Sequence, residues 1–227
     1  MKLVLIWNFF ALFFSALLPL VNPLGSALLF VGIVGDAPIP IYRRLARKIS
    51  INVFIFFLIV ELIGSAVLNF FGISLAIVEV SGGLVIAAMG WTLLNQQDVQ
   101  PRKQDMPSPT SEEELSTGLI AKAFYPLTFP LTVGPGSIVV TLTLAAKATQ
   151  PITTDSLLAH AGMVAGALIM SMLVYICYAN APRITAAVQP ATAHGILRVI
   201  AFFLLCIGVQ ITWNGVSNLV NTLIHHT

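Results

Sequence analysis

Six stretches of this chain are apolar for long enough to cross a hydrocarbon layer, and that constrains its fold more than any motif it carries. A membrane-crossing helix needs about 20 largely apolar residues. The stretches run from about residue 3 to 34, 49 to 71, 75 to 94, 118 to 146, 157 to 181 and 196 to 219. Charged residues make up only 9% of the chain against 57% apolar ones. A water-facing globule normally carries about 25% charged residues, so lipid is the expected solvent. The fold class read from the sequence is an all-α membrane protein of six transmembrane helices.

Lys2 before an apolar run is also how a signal peptide opens. Here the run continues past Leu20 to Asn22-Pro23 with no small-residue cleavage site, so a retained first helix is expected. Residues 96 to 117 are rich in Pro, Ser, Glu and Gln and read as a polar cytoplasmic linker. It divides a single membrane domain, residues 1–227, into halves spanning 1–95 and 118–227. Within it, Ser111 and Glu114 have the spacing of a capping box, so a helix is expected to start there.

Lys and Arg set the orientation. Arg43, Arg44, Arg47 and Lys48 follow the first span. Arg102, Lys103 and Lys122 fall in or after the linker, Arg183 lies in the loop after the fifth span, and Arg198 lies just inside the sixth. Only Lys2 and Lys147 fall on the opposite side, so both termini are expected in the periplasm. Three spans per half is an odd number, so similar halves would be inverted. Val21-Asn22-Pro23-Leu24-Gly25-Ser26 resembles Val133-Gly134-Pro135-Gly136-Ser137, and Met89-Gly90-Trp91 matches Ile207-Gly208-Val209. The expectation is two inverted three-helix repeats.

The first span of each half is too long to be one straight crossing. About 30 residues make roughly 45 Å of helix, against a hydrocarbon core of about 30 Å. Proline chemistry predicts a break in both. Asn22 suits an N-cap and Pro23 the first helical position. Gly134 and Pro135 repeat that logic, with Pro19 and Pro130 ending the segments before them. Amides near Leu24, Gly25 and Ser26, and near Gly136, Ser137 and Ile138, are then expected to face the interior. Such groups cannot face lipid, and helix N-termini favour anions. Paired broken helices in inverted halves are an arrangement of secondary transporters. The candidate substrate-binding residues are therefore Asn22, Pro23, Leu24, Gly25, Ser26, Gly134, Pro135, Gly136 and Ser137. Two unliganded proline kinks are the bland alternative.

Gln210 and Asn214 join that set, because they share one face of the sixth span with Asn218 and Asn221. Glu61, inside the second span, is expensive in lipid and is the candidate for proton or sodium coupling. Glu79 is expected at the membrane interface, and Ser81-Gly82-Gly83 beside it points to close helix packing.

Enzymatic function is not expected. Ser137 with His160 lacks a G-x-S-x-G context, and no H-E-x-x-H occurs. Cys177 and Cys206 stand alone in apolar runs, so no metal site or cofactor is expected. No basic groove points to nucleic acid.

Asn22-Pro23-Leu24, Phe71-Gly72-Ile73-Ser74 with Ser81-Gly82-Gly83, Ala123 to Leu127 through Pro130 to Gly134-Pro135-Gly136, and Cys206 to Gln210 with Asn214-Gly215 form a further set. Together these segments resemble the MarC family of bacterial inner-membrane proteins, a branch of the LysE-like transporter superfamily. Glu79 and Gly25-Ser26 depart from the commonest pattern. The resemblance covers nearly the whole chain and implies six helices in the bacterial inner membrane. It also implies transport of a small solute such as a neutral amino acid, as described for some relatives. It supplies no substrate site, so the site residues rest on the helix breaks. The partners expected are the bilayer, a small solute with a proton or sodium, and a second copy of the chain if it oligomerises. The alternative is a non-transporting membrane component that acts through protein or lipid contacts.

Overall fold

The computed structural model describes residues 2–95, 112–149, 154–187 and 190–225. All regular structure among them is helical. The helices are α1 (Lys2–Val21), α2 (Pro23–Val34), α3 (Ile39–Phe70), α4 (Leu75–Leu94) and α5 (Glu112–Ala121). A wide-coiled segment, Ala123–Thr132, comes next. It is followed by α6 (Pro135–Thr149), α7 (Thr154–Ala179), α8 (Ala181–Ala187) and α9 (Pro190–His225). Five described helices are long and apolar enough to cross a membrane. A sixth crossing results if Ala123–Thr132 and α6, bent by 70° at Val133-Gly134, count as one.

Several expected boundaries move. The second span begins at Ile39, so Arg43, Arg44, Arg47 and Lys48 ride on the first turns of α3 instead of a loop. Pro38 at its N-cap and Pro40 within the first turn suit a helix start, where no intrahelical donor is lost. Pro19 does not end α1, which continues to Val21. Arg183 sits on α8. Residues 112 to 117, read as linker, already belong to α5, while 96–111, Ser111 included, lie outside the described residues.

The first break is sharp in its backbone but mild in its direction. Asn22 adopts a left-handed conformation (φ 43°), and its side chain accepts the Gly25 N–H at 3.1 Å. The chain still runs on as one 33-residue crossing from Lys2 to Val34. Asn is the non-glycine residue that tolerates this backbone best. Asn22→Ala loses both the cap and that tolerance, and should cost about 1 kcal/mol or more, whereas Asn22→Gly should cost only a few tenths. Unfolding midpoints of the two variants in detergent micelles check the order.

The second break is built differently. Two consecutive units, Tyr125-Pro126-Leu127-Thr128 and Phe129-Pro130-Leu131-Thr132, share one pattern. The residue before a proline is pushed out of the helical region, and Tyr125 and Phe129 are both extended (ψ 127° and 128°). Both X–Pro bonds are cis. Proline supplies no amide, so the segment bonds over a wider turn. Leu127 N–H donates to the Lys122 carbonyl and Val133 N–H to that of Thr128. The buried hydroxyls of Thr128 and Thr132 donate to the carbonyls of Ala123 (2.7 Å) and Leu127 (2.6 Å). Each threonine thus satisfies its own hydroxyl on a backbone carbonyl of the same segment, as burial away from water requires.

The main core joins α1, α2, α3, the wide-coiled segment, α6, α7 and α8 through residues such as Phe13, Phe30, Phe57, Leu127, Met163 and Tyr178. Helices α4 and α9 contribute no buried residue to it. They pack on each other, antiparallel, through glycines. A Cβ on Gly83 would meet Thr212, and one on Gly208 would meet Ala87. Gly90 lies against Leu205 and Ala201, while Gly215 lies against Val80 and Ala76. Each contact has a counterpart with the helices exchanged, and it pairs Gly83 with Gly208 and Gly90 with Gly215. The match of Gly90 with Gly208 read from the sequence is thereby one heptad out of step.

Candidate functional site

The two helix breaks meet. The hydroxyl of Ser26, at the start of α2, donates to the Val21 carbonyl (2.9 Å), which the break leaves without its usual donor. It also reaches the Leu131 carbonyl at 3.5 Å, ahead of the second break. A Cβ on Gly136, in the first turn of α6, would lie 3.0 Å from the Leu20 side chain and 2.6 Å from Ile86. The start of α6 is thus pressed against the last turn of α1 and against α4. From α7, the Tyr178 hydroxyl shares a 2.7 Å hydrogen bond with Thr132 and faces Ser26. Its ring stacks on Phe30 of α2, centroids 4.5 Å apart.

The groups at this junction are satisfied and closed off. Thr132, Ser137 and Tyr178 are almost wholly buried and Ser26 nearly so. The amides expected to face the interior mostly turn back on their own caps. Gly25 N–H goes to the Asn22 side chain and Ser26 N–H to its carbonyl. Ser137 and Ile138 N–H both go to the Gly134 carbonyl, as does the Ser137 hydroxyl. Pro23 is buried beside these groups, Pro135 half-buried, and Leu24 points outward. Of the residues expected to bind substrate, the structure gathers those of the two breaks into one neighbourhood. Gln210 and Asn214 instead lie exposed on α9, bonded to each other (Nε2 to Oδ1, 2.9 Å).

Glu61 forms a second site. Its side chain is fully buried, and Oε1 lies 3.1 Å from Nδ1 of His160 on α7. Oε2 is buried with no hydrogen-bond partner, a property shared among the described residues only with Thr143 Oγ1. An unpaired carboxyl oxygen away from water is costly. His160 and Tyr178 are 18 residues apart on α7, or about 27 Å of helix. The carboxylate therefore does not touch the break junction.

Glu79 corrects the expectation of interfacial exposure. It is 3% exposed, and its carboxylate accepts from Asn218 Nδ2 at 3.1 Å across the α4–α9 seam. Four partners escaped the reading of the sequence: His160 for Glu61, Asn218 for Glu79, and Thr132 with Tyr178 at the breaks. The threonines had a visible signal in the doubled aromatic-Pro-Leu-Thr unit. The others depend on registers between distant helices.

A sequence model described as MarC family integral membrane protein matches residues 7–220 of this chain. The chain belongs to the MarC family. The inner membrane protein MarC of Escherichia coli strain K12 is 32% identical over 213 residues, covering 91% of this chain and 93% of that protein. Its counterpart in Salmonella typhimurium is 31% identical over 217 residues with the same coverage. No solved structure matches the fold. The match to the family includes both breaks, Glu61, His160 and the α4–α9 seam, so these features lie in the part of the chain shared with the MarC proteins.

Proposed function

We propose that this MarC-family protein is a secondary transporter of a small zwitterionic solute, such as a neutral amino acid, in the bacterial inner membrane. The observation that carries this reading is the meeting of two proline-started helices, one from each half, at Ser26, Leu131 and Thr132. The N-termini of α2 and α6 offer partial positive charge there. A solute carboxylate is a stronger acceptor than the Asn22 amide oxygen or the Gly134 carbonyl, so it can replace them as the partner of the first-turn amides. The junction then represents a closed state of the pathway.

The reciprocal glycine contacts of α4 and α9 support an inverted relation between the halves, because an in-plane two-fold axis exchanges one helix with the other. The cations on the first turns of α3 and on α8 support a cytoplasmic position for those ends, with both chain termini in the periplasm. Glu61, with His160, carries the coupling proton, or sodium in its place.

Counterflow in proteoliposomes tests the reading. The expected result is exchange of at least one neutral amino acid, stimulated by a proton or sodium gradient and reduced tenfold or more by Ser26→Ala or Ser137→Ala. Absence of exchange for every neutral amino acid, under either gradient and with none, removes the amino-acid reading. One observation favours the alternative of a non-transporting component: the polar groups at the breaks already satisfy one another. A protein that binds no solute and copurifies with a stoichiometric partner would fit it.

A further inference from the structure

Helix α9 has a face that none of the described residues covers, and that face has the pattern of a helix–helix seam. At 100° per residue, Ala201, Gly208, Thr212 and Gly215 group on the side that packs against α4. Gln210 and Asn214 lie about 200° and 240° around from Gly208 by the same rotation, on the outer side. Both are exposed. Phe203, Cys206, Gln210, Trp213, Ser217 and Val220 follow one another at alternating steps of three and four residues. That is the heptad spacing by which two helices pack side by side with a left-handed twist. Five of the six are exposed, and Ser217 is half-buried.

Gln210 sits at the centre of this seam and at the centre of the membrane span. The apolar part of α9 runs from Leu197 to Ile224, which leaves Gln210 about 20 Å of helix from either end. The bond to Asn214 uses one donor of Gln210 and one acceptor of Asn214. The Gln210 carbonyl oxygen, its second N–H and both N–H groups of Asn214 remain to be placed. Lipid tails offer nothing to such groups, and interhelical amide bonds are a recognised means of joining membrane helices.

We propose that α9 is a self-association surface and that its occupant is α9 of a second copy of this chain. A second copy supplies the missing chemistry, because a glutamine–asparagine pair is both donor and acceptor and complements itself. No charged side chain lies on the seam to repel a like one. Copies inserted in the same direction meet about a two-fold axis along the membrane normal. Gln210 then faces Gln210, and Cys206, one turn away, faces Cys206. A single polar position of this kind fixes register in coiled coils.

The unaltered protein carries the probe for this arrangement. Cys206 is exposed and Cys177 is buried. The full chain in phospholipid vesicles, oxidised with copper phenanthroline, is expected to form a disulfide-linked dimer. That dimer should persist with Cys177→Ser and vanish with Cys206→Ser. Gln210→Leu should weaken association in lipid by about fivefold to thirtyfold, the worth of one interhelical amide bond, read by single-molecule photobleaching against dilution in lipid. No dimer on oxidation, while a lipid-soluble maleimide still modifies Cys206, would overturn the proposal. So would labelling of Gln210→Cys, in a Cys206→Ser background, by a charged thiol reagent confined to water, because the stripe would then line an aqueous path. Neither result depends on whether the protein transports a solute.

Discussion

Replacing His160 by alanine should destabilise the protein by about 1–3 kcal/mol, the cost of leaving a buried polar group without its partner. Glu61 is fully buried with one oxygen unpaired, and His160 is the partner of the other at 3.1 Å. Removing that partner leaves a buried carboxyl without its hydrogen bond, and its desolvation is then uncompensated. The cost therefore comes from the stranded carboxyl more than from the lost bond. Two companion variants separate these contributions. Glu61→Gln removes the acid and keeps the shape, so it should cost less than His160→Ala. Glu61→Gln combined with His160→Ala should recover most of the loss, because no acid is then left without its partner in the apolar interior. Denaturation of the purified protein in mixed micelles measures all three, and the double-mutant cycle gives the coupling directly. A double variant as unstable as the sum of the singles would mean that Glu61 and His160 do not act as a pair.

The pair also marks the limit of what a sequence of this kind discloses. Glu61 was legible, because an acid within an apolar run must be accommodated by something. Its partner was not. His160 is 99 residues away, at the start of a different helix, and only the register of α3 against α7 brings them together. The same register places Ser50 against the Ser171 carbonyl at 2.6 Å. Hydropathy carries no information about that register. The helix breaks are the opposite case. Proline acts on its own backbone, so Asn22-Pro23 and Gly134-Pro135 announced the interruptions, although not that one would bend the chain far more than the other.

The polar face of α9 shows a different limit. Gln210 and Asn214 stood out as a stripe, yet nothing in the sequence said which way it faced. In a soluble protein the apolar side of a helix is the buried side. In a membrane, lipid-facing and protein-facing residues are both apolar, so polarity alone does not orient the helix. Small residues do better. Gly208 and Gly215 are spaced to let another backbone approach, and they point at α4. Once the glycines fix the inner side, rotation along the helix places Gln210 on the outer one. Glu79 yields to the same argument. It lies one turn before Gly82 and Gly83, on the face that α4 turns inward.

The glycine seam carries the other large expected effect. A Cβ on Gly208 would collide with the Ala87 backbone nitrogen and come 2.7 Å from the Gly83 carbonyl oxygen. These are backbone atoms of a helix, which cannot swing aside as the end of a side chain can. Gly208→Ala should therefore push α4 and α9 apart and cost at least about 1–3 kcal/mol, the usual penalty of overpacking a tight interior. Gly208→Leu should cost more and lower the amount of folded protein in the membrane. Gly118→Ala is the control, since a Cβ there meets nothing within 4 Å; as an exposed helix position it should be neutral or slightly stabilising. The seam also holds Glu79 against Asn218. Separation of the helices should uncover that carboxylate, so Gly208→Ala and Asn218→Ala should be less than additive when combined. Equal stability of Gly208→Ala and Gly118→Ala would show that α4 and α9 can part without cost. The pair would then be a loose appendage of the main core, not the packed unit that the reciprocal glycines describe.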